Sequence, residues 1–376
     1  MNSPIYLNCA ASAWPRPKCV TDAVTSALEA IPSESSRSSF RGPSVSDACR
    51  LSLSKLLNCD AEDIHFSSGA TESANLIING LSLDDCHVIA TAAEHNCVFR
   101  PLYNHPAQPE VSIVPCDKDG RVSVADLEAM IRPDTKYLFL NHCSNVSGCV
   151  QDLAAIARIA QMHGLRLIVD ASQSIGCIPL DLRSIPIDVL FFAGHKNLFG
   201  PTGIGGFYLR KDMPFRISKT GGTGSDSLWL RMPEGYKNLE PGTANLQGLA
   251  GLAAGAEFIQ STGLSHISNV LQNMRHRLVE GLSSIDGVHV FNPAPKETAA
   301  PVVSFLCEGF SPSDISYILA ESYGIILRSG YHCCPLLSPC LGAAEGTVRA
   351  SFSYLTEPAA IDKLVLAVGE IMEAAR

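Results

Sequence analysis

The sequence predicts an α/β protein: a large domain on a doubly wound, mostly parallel sheet, followed by a smaller C-terminal α+β domain. Three observations predict it. From about residue 60, short apolar runs alternate with helical patterns, as in a sheet whose strands are buried on both faces. After about residue 260 the alternation gives way to one long helical pattern and pairs of short strands. A length of 376 residues, with 46% hydrophobic and 17% charged side chains, suffices for two domains and a large core, and it excludes a disordered chain.

The elements follow in order. Ser33–Ser46 is the most polar stretch and reads as a loop. Asp63–Phe66 is strand-like, and Ser67-Ser68-Gly69-Ala70-Thr71 opens a helix through Asn79. His87–Ala90, Val111–Val114, Tyr137–Leu140, Leu165–Val169 and Val189–Phe192 read as buried strands. Leu153, Ile156, Ala157 and Ala160 recur at helical spacing, with Gly164 as the C-terminal stop. Leu246–Ile259, rich in Gly and Ala, reads as a buried helix, and no run of 18 or more apolar residues predicts a membrane span. A helix over Ile267–Leu282 leads to strands at Val288–Val290 and Val302–Phe305, a helix at Ser313–Glu321, and strands at Ile325–Leu327 and Val348–Phe352. The last helix carries Ile361, Leu364, Val365, Val368, Ile371 and Met372 on one stripe, with Thr356 as its expected cap. The expected division is a large domain over 1–255, its first fifteen residues packing on the small domain, and a small domain over 256–376.

Charge and cysteine content narrow the function. With 28 Lys and Arg against 37 Asp and Glu, the net charge is −9, which argues against a nucleic-acid partner or a polybasic membrane surface. The start, MNSPIYLNCAAS, lacks a basic segment followed by an apolar one, so no secretory signal is expected and the expected compartment is the cytoplasm. There the fourteen cysteines are expected to be reduced, mostly as small buried hydrophobes. Adjacent cysteines do not suit one tetrahedral zinc and no C-x₂-C pair occurs, so no metal site is expected at His332-Cys333-Cys334 with Cys340. Gly203-Ile204-Gly205-Gly206 is a weak dinucleotide lookalike without the strand–helix context.

Ligands of open α/β sheets bind beyond the carboxyl ends of the strands. The residues standing there are Ser67–Thr71 at a helix N-terminus, Asn141-His142-Cys143-Ser144-Asn145, Asp170 with Gln173, and Gly194-His195-Lys196. Singly, each has a bland reading as a cap, an ion-pair partner or a solvated charge. Together, a phosphate seat at a helix N-terminus, a carboxylate and a lysine are the parts that hold pyridoxal phosphate.

The motifs Phe66–Asn75 (FSSGATESAN), Glu94-His95-Asn96, Ser144–Gly148 (SNVSG), Val169–Gln173 (VDASQ), Gly194–Gly206 (GHKNLFGPTGIGG), Glu240–Thr243 (EPGT), Arg328–Cys333 (RSGYHC) and Gly346–Phe352 (GTVRASF) carry a resemblance. Over nearly its whole length the chain resembles the class V aminotransferase family, fold type I pyridoxal-phosphate enzymes, and within it the cysteine desulfurase / selenocysteine lyase group. The Gly221–Ser225 run and the form of Arg328–Leu336 resemble a branch whose substrates are less defined. The resemblance implies pyridoxal 5′-phosphate as cofactor, with Lys196 as the Schiff-base lysine and Asp170 on the ring nitrogen. It implies Gln173 and Asn145 at the phenolic oxygen, Asn145 also near substrate, and His95 stacked on the ring and moving protons. Ala70, Thr71 and His195 would bind the phosphate, with Gly242 and Thr243 from the partner of a homodimer. Arg349 would clamp the substrate carboxylate, Arg328 would support that end, and Cys333 would accept sulfur as a persulfide. The implied reaction takes L-cysteine, or L-selenocysteine, to alanine, with an acceptor protein downstream. The rival is an aminotransferase or C–S β-lyase of the same family, and Cys333 discriminates, because transamination has no use for it. Four positions depart from the family pattern: Asn8-Cys9-Ala10-Ala11-Ser12 in place of D-N-A-A-T, Ala193 in place of Ser or Thr, Arg41-Gly42-Pro43-Ser44 in place of a Gly-rich turn with His, and Cys334 in place of a small residue. Cys334 reads as an inert neighbour rather than a resolving thiol.

Overall fold

A computed structural model describes residues 4–31, 42–223, 228–232, 239–292 and 299–376. Most of the Ser33–Ser46 stretch, including Arg41, lies outside these, as do Gly224 and Ser225 of the Gly221–Ser225 run. The chain opens with a short strand β1 (Ile5–Tyr6) and helices α1 (Lys18–Glu29) and α2 (Val45–Leu57), the second capped by the Ser44 hydroxyl, which accepts from the Asp47 N–H. The predicted loop thus ends at Ser44. Strand–helix alternation follows: β2 (Ile64–Ser67), α3 (Ala70–Gly80), β3 (His87–Thr91), α4 (Asn96–Tyr103), β4 (Glu110–Val114), α5 (Val124–Ala129), β5 (Thr135–Asn141), α6 (Leu153–Met162), β6 (Arg166–Asp170), β7 (Val189–Ala193) and β8 (Gly205–Leu209). These strands form one seven-stranded sheet in the order β2-β8-β7-β6-β5-β3-β4, in which β8 alone runs against the rest.

The continuous apolar runs have a physical cause. β3, β7 and β8 are buried along their whole length, because helices cover both faces of the sheet. One face contributes to a core with Leu138, Leu167 and Leu190, the other to a core with Val88, Phe139, Ile168 and Phe191. Gly164, at φ +67°, closes α6 in the left-handed region that favours glycine. The dinucleotide lookalike is the turn into β8, an antiparallel strand that the sequence reading did not contain.

The long helices α7 (Leu246–Thr262) and α8 (Leu264–Ser283) come next, α7 lying on α1 and α2 through an almost wholly buried Gly- and Ala-rich surface. Beyond them are β9 (Val288–Val290), β10 (Val302–Cys307), α9 (Pro312–Tyr323), β11 (Ile325–Ile326), β12 (Arg328–Gly330), α10 (Leu337–Cys340), β13 (Thr347–Ser351) and α11 (Pro358–Ala374). β12-β13-β10-β9 make an antiparallel sheet, and β1 pairs in parallel with β11. α11 buries Ile361, Leu364, Val368, Ile371 and Met372, as its stripe predicts. Its start differs from expectation: Thr356 does not cap it. The Thr356 hydroxyl accepts from Ser353 N–H at 3.0 Å, and the helix begins with Pro358 at its first turn, whose missing N–H needs no cap. Among the described residues no helix is long and apolar enough to cross a membrane.

Candidate functional site

The carboxyl ends of β2, β5, β6 and β7 open into one cavity of about 350 Å³. At one end of it, the turn after β2 brings Ala70 and Thr71 to the start of α3, whose first turn has no side-chain cap, so its N–H groups are left for a ligand. The turn lies close on the sheet because Gly205 of β8 has no side chain; a Cβ there would stand 2.6 Å from the Gly69 Cα. His195 lines the same end, its pKa pushed down to about 4 by burial and by the Lys196 charge. Ala193 also lines it and supplies no hydroxyl.

The middle of the cavity holds an acid and an amine. Asp170, the last residue of β6, is 4% exposed and accepts from the Ser172 N–H at 2.8 Å. Lys196, three residues past β7, has its pKa lowered by burial, with the Asp170 carboxylate opposing. His95 caps α4 with its own ring, Nδ1 accepting from the Cys97 N–H at 3.0 Å, so its proton sits on Nε2. Burial and Lys196 push the His95 pKa down to about 4, which keeps the ring neutral at pH 7. Gln173 donates to the Ala10 carbonyl and Asn145 to the His332 carbonyl, which fixes both amides beside the cavity. Immediately before His95, Glu94 is fully buried and its pKa is raised by that burial to about 8.

Two arginines close the far end. Arg328 and Arg349 stand directly opposite each other on β12 and β13. The Arg349 guanidinium donates to the Asn145 carbonyl at 2.9 Å and to Asn8 Oδ1 at 2.8 Å. Arg328 Nη2 donates to Cys333 Sγ at 3.2 Å. Cys333 does not line the cavity itself; it sits at its rim, with its carbonyl accepting from Asn96 N–H. His332, adjacent in sequence, does not serve the thiol: its Nε2 meets Thr347. Cys334 points the other way, fully buried, its thiol donating to the Ala93 and Glu94 carbonyls, and burial drives its pKa far up. It has the environment of an inert thiol.

Of the residues singled out in the sequence, the cavity gathers Ala70, Thr71, His95, Asn145, Asp170, Gln173, His195, Lys196, Arg328 and Arg349. Gly242 and Thr243 are not among them; they line a neighbouring hollow with Ser68 and Glu72. Sequence reasoning assigned no role to Asn141, Ser172 and Cys97, which also line the cavity. The first two stand at strand ends, the signal used for the others; Cys97 lies inside a helix and gives no such signal.

The cavity fits a phosphorylated pyridine aldehyde on its own evidence. Asn141 Oδ1, Asn145 Oδ1, Ser172 Oγ and Arg349 Nε are buried polar atoms without a hydrogen-bond partner, a costly state unless a polar ligand meets them. An uncapped helix start, a carboxylate and a buried amine around one cavity are the donor set such a group needs.

The class-V aminotransferase family model matches residues 5–364. The chain belongs to the class-V aminotransferase family. The family's cofactor is pyridoxal 5′-phosphate, and this protein is a pyridoxal-phosphate enzyme of fold type I. A probable cysteine desulfurase of Methanothermobacter thermautotrophicus is 30% identical over 98% of this chain and 94% of its own length. A cysteine desulfurase of Shigella sonnei is 29% identical over 83% of this chain and 78% of its own. Among solved structures, the apo cysteine desulfurase of Thermococcus onnurineus superposes with a TM-score of 0.92 at 28% identity, covering 99% of this chain and 95% of that one. Escherichia coli CsdA, in its S-sulfonic acid form, superposes with a TM-score of 0.85 at 26% identity and the same coverage.

Proposed function

We propose that this enzyme is a cysteine desulfurase, taking L-cysteine or its selenium analogue to L-alanine and leaving the chalcogen on Cys333. The observation that carries the reading is Cys333 Sγ held at 3.2 Å by the Arg328 guanidinium, at the rim of a cavity that contains Lys196, Asp170 and Arg349. When bound, pyridoxal phosphate supplies an electron sink that stabilises negative charge on the substrate carbons. Ala70, Thr71 and His195 would hold its phosphate, Asp170 its ring nitrogen, Gln173 and Asn145 its phenolic oxygen, and His95 would pack on the ring. Lys196 Nζ, whose lowered pKa favours the free amine, takes the α-proton and returns it. Arg349 holds the substrate α-carboxylate. The Cys333 thiolate attacks the substrate sulfur; the substrate Cβ–S bond breaks, its electron pair stays with Cβ and takes a proton, and a persulfide remains on Cys333. The hydrogen bond from Arg328 holds the Cys333 sulfur in place for this attack.

Cys333 also disfavours the rival reading as an aminotransferase or simple C–S lyase, which would leave that thiol without work. We read the enzyme as a cytoplasmic homodimer in which Gly242 and Thr243 of one protomer complete the phosphate seat of the other, with a sulfur-acceptor protein receiving the persulfide. We divide the chain into 1–255 and 256–376, α7 spanning the division. The test uses purified holoenzyme. Lys196→Ala is expected to lose the visible cofactor absorbance. Cys333→Ala is expected to keep it and to form no persulfide when given L-cysteine. Persulfide on Cys334 in that variant, or alanine released from L-cysteine at the wild-type rate, would sink the assignment.

A further inference from the structure

Arg349 is 1% exposed, and among the described residues no carboxylate pairs with it. Its neighbours make matters worse for a cation: Arg328 lies across the sheet, Lys196 nearby, and burial followed by Arg328 lowers its pKa to about 9. A buried cation without a counter-ion is unstable unless an anion arrives. The partners it does have are neutral oxygens, the Asn145 carbonyl on Nη1 and Asn8 Oδ1 on Nη2. Nε is buried and without a partner, so the guanidinium keeps donor capacity for an incoming carboxylate.

Asn8 is not free to wander. Its backbone bridges to Ser351 of β13, two residues beyond Arg349. The flanking residues lock that register: Ser351 N–H donates to the Leu7 carbonyl at 2.8 Å, and Cys9 N–H to the Ser351 carbonyl at 3.1 Å. This is also the position where the family pattern carries an aspartate. An acid there would form a buried ion pair with Arg349 and compete with the substrate.

We infer that Asn8 is a positioning residue that sets how tightly the site takes the α-carboxylate of its amino-acid substrate, orienting the Arg349 guanidinium without neutralising it. The inference deepens the desulfurase reading by naming what tunes its substrate end, and rests on that reading for the identity of the substrate. It makes two consequences move in opposite directions. Putting an acid at this position satisfies the buried charge, so it raises stability; it also weakens carboxylate capture. A residue with only a structural role loses both together.

The test compares wild-type holoenzyme with Asn8→Asp and Asn8→Ala. Binding is read from the perturbation of cofactor absorbance by L-alanine, which carries the carboxylate and no sulfur; turnover is read as alanine released from L-cysteine; stability is read as the melting midpoint. Asn8→Asp is expected to raise the L-alanine Kd and the L-cysteine KM about tenfold, to change kcat far less, and to raise the midpoint by about 2 °C. Asn8→Ala, which removes the acceptor, is expected to raise Kd and lower the midpoint. An Asn8→Asp enzyme that binds L-alanine as the wild type does, or that loses both binding and stability, overturns the inference; so does unchanged binding in Asn8→Ala. Wild-type enzyme that releases no alanine from L-cysteine, with Kd still raised in Asn8→Asp, overturns the desulfurase reading and leaves this inference standing.

Discussion

Glu94 stands immediately before His95, with Oε1 accepting from the Thr91 hydroxyl and the Asn141 N–H and Oε2 buried without a partner. Burial, reinforced by the Asp170 charge, places its pKa near 8, against about 4.3 in an unfolded chain. The folded protein therefore holds a proton that the unfolded chain has released. This contribution to stability is complete below the unfolded value and is lost as pH rises towards 8. His95, His142 and His195, pushed down to about 4, act in the opposite sense, and only below about pH 6.5. Between pH 6.5 and 8, wild-type holoenzyme is thus expected to lose stability with rising pH, and Glu94→Gln to lose markedly less. Parallel melting-midpoint curves for the two would show that Glu94 is ionised in the folded state. The motif places Glu94 beside His95, yet nothing in the sequence says that its carboxyl is dry. The carboxyl is enclosed by parts distant in sequence: Asn141, at the end of β5, donates its N–H to Oε1, and the Cys334 thiol, 240 residues away, packs on the Glu94 backbone carbonyl.

Helix α7 lines no part of the cavity, yet it packs directly on the loop that carries Lys196. Its Gly255 lies where a Cβ would collide with the carbonyl oxygen of Leu198, two residues after Lys196. The sequence shows Leu246–Ile259 as a small-residue helix; only the fold shows that its small residues admit the lysine loop. Gly255→Ala is expected to cost roughly 1–3 kcal/mol and to alter the visible cofactor absorbance, measured by denaturant unfolding and by spectrum. Unchanged stability would mean that the lysine loop yields without strain. Strands β3, β5, β6 and β7 were legible because each carries a short apolar run: Val88–Ala90, Tyr137–Leu140, Leu167–Val169 and Val189–Ala193. β8 was not, because Gly205 and Gly206 leave no alternating side chains to read: each packs against backbone, at Gly69 and His65. The Thr356 cap failed because Pro358 starts α11 without one.

At the scale of the whole chain, the site joins residues from both ends. Asn8 reaches Arg349 across 341 positions, β1 pairs with β11, and Asn145 holds the loop that carries Cys333. Gly242 and Thr243 belong to the same motif set, but they line a separate hollow beside α3. A second copy of the chain is the proposed reason, and sedimentation of the holoenzyme is expected to give about twice the 40.1 kDa of one chain. A purely monomeric, fully active enzyme would return those two residues to a role within their own protomer.

The sequence by itself determined the α/β class, the strand ends that open into the cavity, and the lysine and aspartate that meet there. Strand burial and helix termini are local consequences of residue pattern, and they can be read from one chain. The tertiary structure alone decided that Arg328 rather than His332 meets the Cys333 sulfur, that Cys334 is sealed, and that Arg349 is held by a neutral amide. Those facts depend on which side chains meet across long sequence separations, and on how much water the packing leaves beside a charge, and neither is set by local pattern.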